Sequence, residues 1–138
     1  MKRYEQIPHT ADIGVRVYGK DLGDLFKNAA FGMFDIIADL DGLKKTEKLD
    51  VKVKAASREE LLVSWLDELL YNFYTKGLIF SEFDIINISS TSLAARAFGK
   101  HIQDNKNRLK KEIKAVTFHD LEIKEKNGVF SVEIIFDV

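Results

Sequence analysis

The chain has 138 residues, 46% hydrophobic and 31% charged, with 21 Lys and Arg against 22 Asp and Glu. This size and composition predict one compact domain over residues 1–138. A formal charge of −1 excludes a polybasic protein that coats nucleic acid, although it does not exclude a local basic patch. The absence of Cys excludes disulfides and thiol catalysis. No apolar run reaches the roughly 20 residues of a membrane span, so we expect a cytoplasmic protein without a membrane segment.

The first elements predicted are a strand and a helix. Residues 13–17 alternate between apolar and other side chains, the pattern of a half-buried strand. Apolar residues then recur at helical spacing over residues 22–40. Asp21 is the predicted N-cap of this helix, and Gly42 is the predicted stop.

A second strand and helix follow, and the remainder of the chain is rich in strand patterns. Residues 49–55 alternate, and Ser57 with Glu60 forms a capping box at the start of a helix that is expected to end at Gly77. A polar loop is predicted over residues 100–111, and Asn127-Gly128 is a strong hairpin signal. The later strands are predicted over residues 79–88, 91–98, 112–118, 121–126 and 130–136. This order predicts an α+β fold, with two helices packed on one face of a mixed β-sheet.

Familiar catalytic motifs are absent from the sequence. There is no phosphate-binding loop, no dinucleotide-binding Gly-x-Gly-x-x-Gly and no Gly-x-Ser-x-Gly. His119 and Asp120 are adjacent, and residues that are adjacent on a strand point to opposite faces, so we expect them to diverge. His9 lies three residues before Asp12 and could line a site there, but a surface position is the commoner role for such a histidine.

The acidic residues near the two ends of the sequence are more informative. Asp12 opens the first predicted strand, and Asp137 directly follows a strongly apolar strand, with the main-chain carboxylate of Val138 next to it. Three carboxylates brought together would supply the hard oxygen ligands that Ca²⁺, Mg²⁺ or Mn²⁺ prefer. The alternative from the residues alone is a solvated, frayed terminus.

Four blocks of the sequence resemble the archease family. They occur in the family's order and together span nearly the whole chain. The blocks are YEQIPHTADIGVR (residues 4–16), LVSWLDELLY (62–71), EIKAVTFHDLEI (112–123) and IIFDV (134–138).

The resemblance implies a small α+β accessory protein that is not itself an enzyme. Archeases act with the GTP-dependent tRNA-splicing RNA ligase, whose guanylylation and multiple turnover they promote. The resemblance also implies a divalent metal, typically calcium, with magnesium and manganese as alternatives. Its ligands would be Asp12, Asp137 and the main-chain carboxylate of Val138.

Two alternatives stay open at this stage. One is a chaperone-like modulator of an RNA methyltransferase, a second role proposed for the family. The other is a metal-dependent phosphodiesterase that uses the same carboxylates. The sequence leaves undecided whether the protein contacts tRNA directly, and whether Lys114 on a strand near the metal residues takes part.

Overall fold

The fold is taken from a computed structural model, which describes residues 2–138 apart from the side chain of Asp104. Met1, the first residue of the predicted domain, lies outside the described residues. The helices are α1 (Leu22–Ile37) and α2 (Arg58–Lys76). The strands are β1 (Tyr4–Ile7), β2 (Ile13–Gly19), β3 (Glu47–Lys54), β4 (Leu78–Ile88), β5 (Ser92–His101), β6 (Ala115–Thr117), β7 (Lys124–Lys126) and β8 (Val129–Asp137).

The described strands form two sheets. The first has the order β1-β2-β8-β6, with β7 also paired to β8, and the second has the order β3-β5-β4. The α+β class with two helices is therefore confirmed, but two antiparallel sheets replace the single mixed sheet. The strands β3 and β4, which α2 connects, do run in the same direction. They are not paired, because β5 inserts between them and pairs with both.

Both helices lie between the sheets, not on one face of a single sheet. Helix α1 contacts β2 of the first sheet and β4 of the second, whereas α2 contacts β3 and β6. A helix between two sheets must be apolar on most of its circumference. The buried residues of α1 meet this requirement: Leu25, Phe26, Asn28, Ala29, Ala30, Gly32, Met33, Phe34, Ile36 and Ile37. An aromatic cluster joins the helices to the second sheet, since Phe34 packs edge-on against Phe80 with ring centroids 5.4 Å apart.

Helix α1 begins as predicted and ends earlier. The Asp21 side chain accepts a hydrogen bond from the Asp24 N–H at 2.8 Å, which confirms the N-cap. The predicted stop at Gly42 is wrong, because the backbone of Ala38 becomes extended and bridges to Leu109. This pairing with a distant segment ends the helix at Ile37, and local sequence does not reveal it. The segment that includes Leu109 was predicted as a loop, and the structure folds it against the end of α1.

The predicted start and end of α2 and the predicted hairpin turn are confirmed. The Ser57 hydroxyl accepts the Glu60 N–H at 3.2 Å, and Gly77 ends α2 in the left-handed region at φ 65°. Asn127 and Gly128 have φ values of 53° and 76° and connect β7 to β8.

The predicted strands over residues 112–118 and 121–126 are shorter in the structure, and β1 was not predicted at all. Four residues are too few for a clear alternation pattern. Strand β1 is held by tertiary contacts, among them a 2.6 Å hydrogen bond from the Tyr4 hydroxyl to the Asp35 carboxylate on α1.

Several charged side chains lie on the outer face of the first sheet, which is the face turned away from the helices. Arg16 lies between two carboxylates, with Nη2 2.7 Å from Glu133 and Nη1 3.2 Å from Glu5. Glu5 also accepts hydrogen bonds from Lys2 and from the Tyr18 hydroxyl. Its hydrogen bond with Lys2 is the largest contribution that lowers the Glu5 pKa from 4.5 to about 2.

The Glu5 interactions are expected to make folding sensitive to acid. A carboxyl group whose pKa is lower in the folded chain stabilises it above the unfolded pKa, and this stabilisation disappears as pH falls through the folded pKa. The free energy of unfolding should therefore decrease between pH 4.5 and about 2. Glu5→Gln should show a shallower decrease in urea titrations over this range. Identical pH profiles for the two proteins would contradict the assignment.

Candidate functional site

Two strands of the first sheet end side by side and bring two carboxylates to one edge. Strands β2 and β8 are antiparallel, and Ile13 pairs with Phe136. Asp12 directly precedes this pair on one strand, and Asp137 directly follows it on the other. Asp137 also pairs with Ala115 of β6, so three strands fix this position. We call Asp12, Asp137 and Val138 the acidic edge.

The loop before Asp12 has an unusual backbone. Ala11 adopts φ 66°, in the left-handed region that non-glycine residues seldom occupy. The loop also brings His9 back toward the acidic edge, with Nδ1 3.8 Å from the Asp12 carboxylate. The Asp12 side chain is 32% exposed, which leaves it accessible to an ion or to a partner. A backbone held in a sparsely populated conformation next to an accessible carboxylate is a feature typical of functional loops.

At Asp137 and Val138, the acidic edge is held by contacts with neighbouring parts of the chain. The Lys114 N–H donates a 2.7 Å hydrogen bond to the Asp137 carbonyl. Val138 is half-buried and packs against the hydrophobic core, whereas the Asp137 residue is exposed. These contacts argue against the frayed segment that was the alternative interpretation. This hydrogen bond places Lys114 beside the acidic edge, near the residues predicted to bind the metal.

The donor atoms of the acidic edge are carboxylate oxygens, which hard cations prefer as ligands. Within residues 2–138, neither Asp12 nor Asp137 has a Lys or Arg nitrogen within 4.0 Å, and His9 is the one basic group near Asp12. In the same part of the chain, no three Asp, Glu, His or Cys side chains are grouped to hold a metal ion. Two side-chain carboxylates are present, and the predicted third donor is the main-chain carboxylate of Val138. An all-oxygen donor set fits Ca²⁺, Mg²⁺ or Mn²⁺, whose other coordination positions would be filled by water or by a partner. The role of these three residues as ligands stays a prediction.

An apolar strip beside the acidic edge was missed in the sequence. Ile7 and Ile135 meet on the outer face above Gly14, where an added Cβ would come within 2.9 Å of Ile7. Beside Ile135, Thr117 has a buried hydroxyl oxygen without a hydrogen-bond partner, the one such side-chain atom among the described residues. We call Ile7, Ile135 and Thr117 the apolar strip. The sequence does contain one signal for it, because three consecutive apolar residues at 134–136 must place at least one apolar side chain on each face.

The structure contradicts the prediction for His119 and Asp120. Their side chains do not diverge, since His119 Nε2 lies 3.1 Å from the Asp120 carboxylate. The two residues follow β6 in a turn, where Asp120 has φ 51°, and strand alternation does not apply there. Their side chains are 76% and 89% exposed, so this pair does not form an enclosed catalytic site.

The fold and this edge define a class of small α+β proteins, with two helices between antiparallel sheets and carboxylates where strands of one sheet end. Residues 4–138 match the model of the archease protein family. "Protein archease" of Pyrococcus abyssi is 36% identical over 143 residues, and the alignment covers 100% of both chains. "Protein archease" of Methanothermobacter thermautotrophicus is also 36% identical, with the same coverage. The chain therefore belongs to the archease family.

Solved structures agree with this assignment. The solution structure of Methanobacterium thermoautotrophicum protein 1598 superimposes with a TM-score of 0.88 at 35% identity, over 100% of both chains. A Thermotoga maritima crystal structure, described as an archease and possible chaperone, gives a TM-score of 0.62. It is 21% identical and covers 97% of this chain and 96% of its own, so it supports the fold alone. In the described part of this chain, neither helix is long and apolar enough to cross a membrane.

Proposed function

We propose that this protein is a cytoplasmic accessory factor of the GTP-dependent tRNA-splicing RNA ligase. In this role it promotes guanylylation and multiple turnover of the ligase without catalysing a reaction itself. The observation that carries the proposal is the meeting of Asp12 and Asp137 at one end of the first sheet, where no described Lys or Arg residue pairs with either carboxylate. Family membership supports an archease role, and the ligase as partner comes from the resemblance described above.

The three residues of the acidic edge would act together as metal ligands. Asp12 and Asp137, with the main-chain carboxylate of Val138, would hold a divalent ion, and such an ion neutralises charge on a phosphoryl group during transfer. The strand pairing of Asp137 with Ala115 and the packing of Val138 hold the backbone at these two positions. Because this backbone does not have to be ordered during binding, the edge is suited to a short encounter with an enzyme.

The apolar strip gives the partner a surface beside the acidic edge. Ile7 and Ile135 are partly exposed and leave apolar surface available there. A docked protein could cover the two isoleucines and remove their apolar surface from water. The ligase would then be oriented with its active-site mouth over the carboxylates.

The test measures covalent attachment of GMP to the ligase from radiolabelled GTP. Asp12→Asn and Asp137→Asn keep the shape of each side chain and remove its charge, and each should lower the stimulation at least tenfold. Asp41→Asn is the matched control, because Asp41 is an exposed residue on the loop after α1 and does not belong to the acidic edge. It should stimulate within twofold of the unmodified protein.

Full stimulation by both acidic-edge variants, with native circular dichroism, would refute the metal-site account. Two further arms separate the alternatives. Cleavage of RNA by the purified protein with Mn²⁺ alone would favour a phosphodiesterase. A change in RNA methyltransferase specificity without any effect on the ligase would favour the methyltransferase role.

A further inference from the structure

The outer face of the second sheet carries a row of lysines on its edge strand. Lys48, Lys52 and Lys54 of β3 are exposed, while Val51 between them is buried against the core. In a strand, residues two positions apart point to the same side, about 6.6 Å from each other. The three ammonium groups therefore follow one another along a single face. We call this surface the lysine face.

The three lysines of the lysine face lack direct ion-pair partners among the described residues, although carboxylates do lie on the same sheet face. Asp50 lies within the row, but Arg96 of β5 binds its carboxylate at 2.7 Å. This ion pair lowers the Asp50 pKa, so the carboxylate remains ionised and committed to Arg96. Among the described residues, none of the three lysines has an Asp or Glu oxygen within 4.0 Å. The edge strand thus presents three lysine charges along one face, although the protein has a formal charge of −1.

The neighbouring strand adds an aromatic ring and a groove. Lys48 pairs with Phe98, which is partly exposed on the same face, and Lys52 pairs with Ala94. Because the Ala94 side chain is short, it forms the floor of a groove of about 340 Å³. The groove is lined by Lys52, Val53, Lys54, Asn87, Ser92, Leu93 and Ala94. Its apolar floor and cationic wall, with Phe98 further along the row, resemble the surfaces that bind unpaired bases and their phosphates.

We propose that the lysine face binds a single-stranded nucleic acid. The phosphates would follow Lys48, Lys52 and Lys54, while bases stack on Phe98 and enter the groove above Ala94. Lysine binds phosphate as a flexible point charge, and stacking on an aromatic ring is a contact that an acidic peptide does not offer. The proposal does not depend on the ligase. Since the helices lie between the sheets, the lysine face and the outer face of the first sheet can be occupied at the same time.

The test uses fluorescence anisotropy of a labelled 12-nucleotide RNA of mixed sequence, with the full chain, EDTA and no other protein. Three phosphate contacts on a single strand predict a slope of about −2 for the logarithm of affinity against the logarithm of salt concentration. Replacing Lys48, Lys52 and Lys54 together by Thr, which suits strands, should weaken binding at least tenfold and flatten the slope. The control replaces three exposed lysines elsewhere, Lys110, Lys111 and Lys126, and should bind within twofold of the unmodified protein.

Two further measurements separate a nucleic-acid site from a general anion site. Phe98→Leu keeps the charge and should weaken RNA binding about tenfold through lost stacking. It should leave the affinity for poly-glutamate unchanged. The proposal is overturned if RNA does not bind, if the two triple variants weaken binding equally, or if poly-glutamate of equal charge binds as tightly as RNA.

Discussion

Trp65→Ala is expected to lower the free energy of unfolding by about 4 kcal/mol. Trp65 is completely buried on α2. Its ring packs edge-on against Phe83 at 6.0 Å, and its Nε1–H donates a 2.9 Å hydrogen bond to the Phe26 carbonyl on α1. One side chain thus connects both helices to the second sheet. Its removal leaves a large cavity and deletes the hydrogen bond, and close-packed neighbours relax only partly into such a space.

Urea unfolding followed by circular dichroism measures this effect. Tyr71→Ala is the matched control, since Tyr71 is an aromatic residue on the same helix with 61% exposure, and a change within about 0.5 kcal/mol is expected. The loss in free energy of unfolding for Trp65→Phe should lie between those of the two Ala variants, because Phe keeps most of the packing and loses the hydrogen bond. A loss below about 1.5 kcal/mol for Trp65→Ala would show that Trp65 does not connect these layers as described.

Elements with a local signal could be predicted, whereas their arrangement depended on distant pairings. The Asp21 cap and the left-handed Gly77 each follow from chemistry within a few residues. The end of α1 was misplaced, since it depends on a bridge between Ala38 and Leu109. The division into two sheets depends on β5, which inserts between β3 and β4, and no periodicity in the sequence reports this.

In the candidate site too, some features have a signal in the sequence, whereas others depend on the three-dimensional structure. That Asp12 and Asp137 lie at one edge was implied by the resemblance to the archease family, because their positions beside apolar strand patterns left a solvated, frayed terminus as an alternative. The left-handed backbone conformation of Ala11 could not be predicted, since alanine carries no signal for a positive φ. The alternation of Lys48, Lys52 and Lys54 is visible in the sequence. Only the register of β3 with β5 reveals that Arg96 neutralises the Asp50 between them.

Calcium is expected to stabilise the protein, and the substitutions at the acidic edge should remove this effect. A ligand that binds the folded chain alone adds about 2.7 kcal/mol of stability at a concentration of 100 times Kd. For a chain of this length, that corresponds to an increase in Tm of about 10 °C. Asp12→Asn and Asp137→Asn should each lose most of the increase, because each removes one of the two side-chain donors.

The same variants should behave in the opposite way without metal. Among residues 2–138, neither carboxylate has a Lys or Arg nitrogen within 4.0 Å to offset repulsion between them in EDTA, so replacing either by Asn should leave Tm unchanged or raise it. The curves of the unmodified protein and the variants should therefore cross as calcium is added, whereas Asp41→Asn should follow the unmodified protein throughout. A short extension after Val138 removes its main-chain carboxylate and should reduce the calcium response without a change in EDTA. Equal calcium shifts in all of these proteins would show that the ion binds elsewhere, and the acidic edge would then have to act on its partner through charge alone.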